Sequence, residues 1–189
     1  MKRMAESESL KRLRFFTGQV LTAESFELEQ KYFREKLKRH NRALHGFGIV
    51  SGLKVIVEAG QIVVEPGLAL DCQGNELVIG TAVVSPVNCD WPSAYVQVGF
   101  AEEYTDIIPA AGLAEPGLTE TFQLDMKEAS TITESGELFV AEENSNRGHR
   151  HLRGRWLACG KPHALTIAKL KRSSQGWRVE RGYRAPVIK

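Results

Sequence analysis

Cysteine is scarce in this chain of 189 residues, and its three cysteines lie far apart at Cys72, Cys89 and Cys159. Their number is odd, and none belongs to a Cys-x-x-Cys pair. Disulfide frameworks and zinc ribbons need closely spaced, paired cysteines, so the sequence disfavours both. The pattern instead favours small, buried or half-buried thiols in a reducing compartment.

Long apolar runs are missing as well. Basic residues occur near the amino terminus, but the apolar segment that follows them in a secretory signal is absent. No uninterrupted apolar run approaches the roughly 20 residues that a membrane-spanning helix needs. We therefore expect a soluble, cytoplasmic protein without a membrane span.

Neither charge nor motif points to a particular chemistry. The net charge of +2 is too small to indicate nucleic-acid binding by itself. Hydrophobic residues at 42% and charged residues at 25% are ordinary for one globular domain. No Gly-x-Ser-x-Gly elbow, phosphate loop, dinucleotide fingerprint or His-Glu-x-x-His motif occurs. The sequence therefore predicts a protein that is not an enzyme and needs no cofactor.

An amphipathic helix is the first feature that the sequence does contain. Residues 1–12 are polar and charged without periodicity and predict a flexible arm. Thr22 can cap a helix that begins near Ala23, and Gly46 supplies a left-handed residue after its end at His45. One side of this helix carries five residues at helical spacing: Phe26, Phe33, Leu37, His40 and Leu44. We predict that this side is buried against the rest of the protein.

Basic residues crowd the second half of the helix: Lys31, Arg34, Lys36, Lys38, Arg39 and Arg42. Such a cluster can bind the phosphates of nucleic acid or an anionic membrane surface. Glutamates are interleaved, however, and the pairs Glu27–Lys31 and Glu35–Arg39 have the i, i+4 spacing that stabilises a solvated helix. The pattern favours a helix that faces solvent or a partner protein, with nucleic-acid binding as the alternative.

The rest of the chain has the alternating pattern that is typical of strands. Strands are predicted at residues 53–57, 61–65, 68–70, 76–79, 94–100, 121–126, 138–140, 164–170 and 177–180. The first four should form an antiparallel meander, and residues 101–120 and 127–161 should form long surface loops. The predicted fold is therefore α+β, with a long N-terminal basic amphipathic helix followed by a mainly antiparallel β-sandwich or barrel-like body. Its parts are the arm at 1–12, a helical segment with an elbow at 13–48, and a β-rich domain at 49–189.

One group of side chains resembles a metal site. His149 and His151 have a spacing that can direct both imidazoles to one side, and Cys159 or His163 could complete a zinc tetrahedron. The neighbouring arginines would repel a divalent cation, and they are Arg147, Arg150, Arg153 and Arg155. A basic, solvated loop is therefore the favoured interpretation, and no metal is predicted.

Two other pairs invite a chemical interpretation. His40 and His45 are five residues apart, so on an α-helix they diverge by about 140° and cannot easily share a metal. Asp71 and Glu76 flank a turn and could act as a general acid and base. The turn itself explains Asp71 more simply, because an aspartate there can accept hydrogen bonds from the amides of its own turn.

Three motifs resemble those of one known family. They are RFFTGQVLTAE at 14–24 with EQKY at 29–32, HNRALHGFGIVSGL at 40–53, and VEPGLALD at 64–71 followed by Gly74-Asn75-Glu76. The chain is similar in them to a bacterial family encoded among genes for contractile, phage-tail-like injection systems, and the third motif is similar to β-domains of phage tail and baseplate components. The resemblance implies a structural or adaptor component that binds other tail or baseplate proteins. It also suggests a homo-oligomeric ring, and it implies no catalytic activity.

An assembly component needs rigid elements that its neighbours can bind, and a helix joined to a body by a glycine-rich elbow is such an element. On this basis Lys38, Arg39 and Arg42 are the candidates for contacts with an acidic neighbour, and Phe47, Leu53 and Trp91 should fasten the elbow to the sheet. The residues expected to build the helix face and the elbow are Phe26, Phe33, Leu37, Leu44, Gly46, Gly48, Gly52, Pro66, Gly67, Asp71 and Gly74.

Two other functions stay open at this point. One is a nucleic-acid-binding module that uses the basic helix, whose affinity would fall steeply with added salt. The other, less favoured, is a metal-dependent enzyme built on His149, His151 and Cys159, which would carry stoichiometric zinc.

Overall fold

The computed structural model describes residues 9–87, 90–106, 116–129 and 164–188. Within these residues the protein is α+β, with one helix followed by strands that pair almost entirely antiparallel. The predicted fold class is confirmed at this level. None of the described sheets closes into a barrel.

Helix α1 spans Ala23–His40, and a π-helical turn, Asn41–His45, continues it. The N-cap Thr22 is extended, and its N–H donates to the Ser25 hydroxyl at 3.4 Å. At the other end Gly46 has a positive φ of 79°, and its N–H donates to the Asn41 carbonyl at 2.9 Å. Both predicted ends are confirmed. The last five residues, however, wind as a π-turn, which is rare and short in proteins.

Ten strands follow in the described residues: β1 Gly48–Gly52, β2 Val55–Glu58, β3 Gln61–Val64, β4 Gly67–Leu70, β5 Glu76–Ile79, β6 Val83–Pro86, β7 Ser93–Asp106, β8 Pro116–Glu128, β9 Leu165–Ser173 and β10 Gly176–Val179. The first sheet has the order β1-β4-β5, the second β2-β3-β6, and the third β10-β9-β7-β8. Neither β1 nor β6 has a predicted counterpart. The predicted strand at 138–140, and all but the first residues of the predicted loop at 127–161, lie outside the described residues.

One bent hairpin supplies strands to two sheets. Its strands stay paired through the corner, because the Glu65 N–H donates to the Lys54 carbonyl at 2.9 Å and the Leu53 N–H donates to the Pro66 carbonyl at 3.2 Å. Leu53 has a positive φ of 56° at this corner, so the hairpin pairs as β1–β4 on one side of it and as β2–β3 on the other. The predicted single meander is therefore wrong, because strands that bend at a corner pass from one sheet to another.

The hairpin of β7 and β8 is longer than the sheet to which it belongs. β8 pairs with β7 from Ala94 to Asp106, whereas β9 pairs with β7 only from Ser93 to Val98. The far part of this hairpin, residues 101–106 paired with 116–121, is the outer ribbon. The predicted loop at 101–120 is thus wrong for residues 101–106 and 116–120. Most side chains in these two segments are exposed, so their sequence is polar like that of a loop. The backbone pairing of one segment with the other is what makes them strands.

All three sheets share one hydrophobic core. Its buried members are Leu53, Val55, Ile62, Val64, Ala69, Leu77, Ile79, Val96, Val98, Leu165, Ile167, Ala168 and Leu170. The C-terminal segment covers the edge of β1, where the Ile49 N–H donates to the Pro186 carbonyl at 2.8 Å and the Ile188 N–H donates to the Ile49 carbonyl at 2.9 Å.

Helix α1 contributes no side chain to this core. None of its residues, all of which the structure describes, is buried. The exposed fraction is 57% for Phe26 and Phe33, 50% for Leu37, and 69% for Leu44 in the π-turn. The predicted burial of this side is therefore wrong. Among the described residues, side chains of the strands and of Leu53 form the core, and the apolar side of the helix stays exposed.

Candidate assembly surface

The turn after β4 is built around the carboxylate of Asp71. One oxygen accepts the N–H groups of Gln73 and Asn75, both at 2.8 Å, and the other accepts the Asn75 side-chain amide at 2.6 Å. Asp71 is only 4% exposed, whereas Glu76 is exposed. The carboxylate therefore has a structural role in the turn, whereas the Glu76 side chain lies in solvent.

Helix α1 is attached to the body through this turn. The buried side chain of Asn41, the first residue of the π-turn, donates to the Gly74 carbonyl at 3.0 Å, and the Arg42 guanidinium donates to the Gln73 carbonyl. Gly74 has a φ of 85° and lies so close to the Lys38 backbone that a Cβ would collide with the Lys38 carbonyl oxygen. We call this contact the helix joint. It fixes one end of the helix by hydrogen bonds and close backbone approach.

The π-turn also changes how the two helix histidines are related. The ring centroids of His40 and His45 are 5.3 Å apart, with the planes tilted by 58°. The predicted divergence of about 140° is wrong, because a π-turn, with its i to i+5 bonding, brings residues five apart to the same side. The described part of the chain holds no group of three or more His, Cys, Asp or Glu side chains that could bind a metal.

An exposed apolar stripe runs along the helix away from the joint. Phe26, Phe33, Leu37 and Leu44 follow one another with Gln30 and His40 between them, so the six positions alternate spacings of four and three. This is the seam spacing of helices that pack on another helix or into a groove. We call Phe26, Phe33, Leu37 and Leu44 the helix stripe.

The cations predicted to bind a partner lie close to the joint. The Lys38 ammonium lies 5.8 Å from the centre of the Phe100 ring, Arg42 donates to Gln73, and Arg39 is half-buried. That these three residues contact an acidic neighbour stays a prediction. Three other cations of the same helix are exposed, namely Lys31, Arg34 and Lys36. The sequence alone could not separate the two sets, because the separation depends on where the body meets the helix.

The remaining predicted residues are placed as follows. Phe47 is half-buried against the core, Leu53 belongs to the core, and Trp91 is half-buried. Gly52 and Gly67 allow a close backbone approach of β1 and β4 beside Pro66, and Gly48 lies against the Pro186 carbonyl. The zinc candidates His149, His151, Cys159 and His163 lie outside the described residues.

Two titratable groups are clearly perturbed among the described residues. Burial, with the neighbouring Tyr95 as a second cause, raises the pKa of the Tyr183 hydroxyl, which donates to the Thr166 carbonyl at 3.2 Å. A hydrogen bond with the Thr22 side chain lowers the pKa of Glu24 at the start of the helix. The first group secures the C-terminal segment to β9, and the second lies at the helix N-terminus.

Among the described helices, none is both long and apolar enough to cross a membrane. No protein-family model matches the chain, and no curated protein matches it either.

The fold is similar to known baseplate structures. A chain of the type VI secretion system TssK-TssF-TssG baseplate subcomplex matches 95% of this chain and 62% of its own length, with a TM-score of 0.53 and 12% identity. The crystal structure of TssK matches 91% of this chain and 41% of its own length, with a TM-score of 0.51 and 10% identity. This chain thus spans less than two thirds of either protein. At such identities the similarity establishes a shared fold alone.

Proposed function

We propose that this protein is a structural or adaptor component of the baseplate of a contractile, phage-tail-like injection system. It works in the cytoplasm through contacts with other tail or baseplate proteins and has no catalytic activity. The observation that carries the proposal is the helix stripe, which is exposed along a helix that is hydrogen-bonded to the body at the helix joint. The similarity of the fold to the two baseplate structures supports the same setting.

The helix stripe is suited to a partner protein on energetic grounds. Burying one large apolar side chain stabilises an interface by about 1.5 to 3 kcal/mol. Phe26, Phe33, Leu37 and Leu44 are all at least half exposed, so each has apolar surface that a partner could bury. A stripe with coiled-coil spacing fits a partner helix or an apolar groove. The helix joint restricts how the stripe moves, which lowers the entropic cost of binding.

The proposal is tested by co-purification of the full chain with the baseplate and tail proteins of a contractile injection system. Wild type should retain at least one of them under mild salt. Replacing two residues of the stripe, Phe33→Ser with Leu37→Ser, should lower the affinity about tenfold or more, because hot-spot residues of this size dominate interface energies. The measurement is the dissociation constant from a titration with the retained partner.

The matched control replaces exposed apolar residues of similar accessibility outside the helix. Val78 and Val84 are 58% and 55% exposed on β5 and β6. The variant Val78→Ser with Val84→Ser should bind like wild type. If wild type retains no baseplate or tail protein, or if the control weakens binding as much as the stripe variant does, the proposal is wrong.

A further inference from the structure

The outer ribbon carries an unusual arrangement of charge. In an antiparallel ribbon, directly opposed residues share a face, and every second pair lies on the same face. Glu102 is opposite Glu120, and Tyr104 is opposite Leu118. Two carboxylates and an adjacent apolar pair therefore lie on one face, which we call the ribbon face. Tyr104 is 79% exposed and Leu118 is 56% exposed.

This arrangement is unfavourable in an isolated chain. Like charges that are directly opposite in a sheet destabilise the pairing of their strands. The salt bridges among the described residues join Lys54 to Glu65, Lys169 to Glu180 and Arg172 to Asp90, so none of them neutralises Glu102 or Glu120. A partner that brings cations to the ribbon face would relieve the repulsion, and an apolar surface beside those cations would cover the adjacent pair.

The middle of helix α1 offers the complementary surface. Phe33 and Leu37 are neighbours on the helix stripe, and Arg34 and Lys36 lie roughly 80° to either side of them at 3.6 residues per turn. Both cations are exposed. The helix therefore carries two cations beside an apolar pair, and the ribbon face carries two carboxylates beside an apolar pair, so the two surfaces are opposite in charge and alike in apolar character. We call these four residues the helix patch.

We propose that the ribbon face of one copy of this chain binds the helix patch of a second copy. Charge complementarity selects this occupant, because one chain carries both halves of the contact. The two surfaces differ, so the contact is heterologous, and repeating it builds a ring if the rotation closes and a filament if it does not. Phe33 and Leu37 also belong to the helix stripe, so a second copy and another baseplate protein compete for them on any one helix. The biological setting of the contact rests on the proposed function, but the contact itself can be tested on the purified protein alone.

The test uses charge reversal in the full chain, with mass measured by light scattering after size exclusion and association constants measured by sedimentation. The ribbon variant is Glu102→Lys with Glu120→Lys, and the patch variant is Arg34→Glu with Lys36→Glu. Wild type should self-associate, and added salt should weaken the association. The association constant of each variant alone should fall at least about tenfold, because like charges then face each other.

Mixing the two variants should restore association, because the reversed ribbon of one then faces the reversed patch of the other. A chain that carries all four substitutions should also associate. The control Glu58→Lys with Glu76→Lys makes the same charge change at exposed positions of β2 and β5 and should associate like wild type.

Pairing of two helix stripes is the main competing arrangement. The variant Tyr104→Ser with Leu118→Ser separates the two, since it removes apolar surface from the ribbon face and leaves the helix unchanged. It should weaken self-association if the ribbon binds the patch. Normal association of this variant would overturn the proposal, as would a mixture that stays dissociated or a wild type that is monomeric at high concentration.

The outcomes also separate this proposal from the proposed function. A strictly monomeric chain that still retains baseplate or tail proteins contradicts the ribbon contact alone. A chain that self-associates by charge rescue but retains none of those proteins contradicts the proposed function alone.

Discussion

The hydroxyl of Tyr183 links the C-terminal segment to the third sheet. It donates to the Thr166 carbonyl, while its ring lies 6.0 Å from that of Tyr95. Burial of the hydroxyl is the first cause of its raised pKa, and the nearby Tyr95 is the second. The folded state therefore holds this proton more tightly than the unfolded chain does.

This raised pKa predicts a loss of stability in alkali. Below pH of about 10, the ordinary value for tyrosine, both states keep the proton and the hydrogen bond contributes fully. As the pH rises beyond that, the unfolded state loses its proton first, so the free energy of unfolding falls. Tyr183→Phe should cost about 1 kcal/mol at neutral pH and should remove part of the alkaline fall.

The measurement is urea unfolding at a series of pH values between neutrality and the alkaline range. Tyr104→Phe is the control, because Tyr104 is 79% exposed. Removing its hydroxyl should leave the free energy of unfolding with the same pH dependence as in wild type. An unchanged alkaline profile in Tyr183→Phe would show that the buried hydroxyl is not responsible.

At the scale of elements, the helix joint attaches helix α1 to the turn after β4. Asn41 and Arg42 supply its hydrogen bonds, and Gly74 allows the close approach to the Lys38 backbone. The joint lies in the π-turn, where the winding places Asn41 against the turn that Asp71 holds. Among the described residues, the hydrogen bonds that join the helix to the turn after β4 come from the π-turn.

Gly74→Ala should loosen the helix while the sheets stay folded. The new Cβ would collide with the Lys38 carbonyl oxygen, so the joint must open. Amide hydrogen exchange in α1 should increase, whereas exchange in β7 and β9 should not. Gly60→Ala is a closely matched control, because Gly60 has a φ of 76° and nothing within 4 Å of an added Cβ.

Both glycine variants should lose about 1 to 2 kcal/mol from the left-handed backbone conformation, so stability alone does not separate them. Only Gly74→Ala should change exchange in the helix. Equal exchange of the helix amides in the two variants would mean that the joint does not hold the helix.

Local chemistry explains which elements the sequence could predict. The ends of α1 depend on Thr22 and Gly46, which are next to the residues they cap, and Asp71 binds amides only two and four residues away. The hydrophobic pattern likewise predicts β5 with the correct ends. The π-turn could not be predicted, because its polar contacts join Asn41 to Gly74 across 33 positions.

Non-local contacts explain what the sequence could not show. An apolar stripe has the same spacing whether a body or another molecule covers it, so the spacing of Phe26, Phe33 and Leu37 could not decide its burial. The sequence of the outer ribbon resembles a loop because it lacks a continuous apolar face, and pairing between residues 101–106 and 116–121 is what makes it a strand. The order of the sheets depends on the corner at Leu53. Pro66 and Gly67 mark a break between two strands there, but the break does not show which sheet the next strand joins.

For the whole molecule, the side chains that form the core differ from the apolar side chains that are exposed on the helix. The core consists of side chains from the strands and the corner, whereas the helix stripe lies outside it. Ile62→Ala should therefore cost about 2 to 5 kcal/mol of unfolding free energy. Phe33→Ser should change the free energy of unfolding by no more than about 0.5 kcal/mol, as surface substitutions usually do.

Urea unfolding followed by circular dichroism checks this difference, at protein concentrations low enough to prevent self-association. Ile62 is fully buried and Phe33 is 57% exposed, so the pair is a direct comparison. If Phe33→Ser lowers the free energy of unfolding as much as Ile62→Ala does, the helix stripe packs against the β-sheets of the same chain.

The corner at Leu53 has a mechanical consequence. Helix α1 is attached to the turn between β4 and β5, and β4 is covalently continuous with β3 through Glu65 and Pro66. A pull on the helix would thus load the first sheet and, through this covalent connection, the second. Tension would be distributed over many bonds, and the two sheets would resist it as one unit.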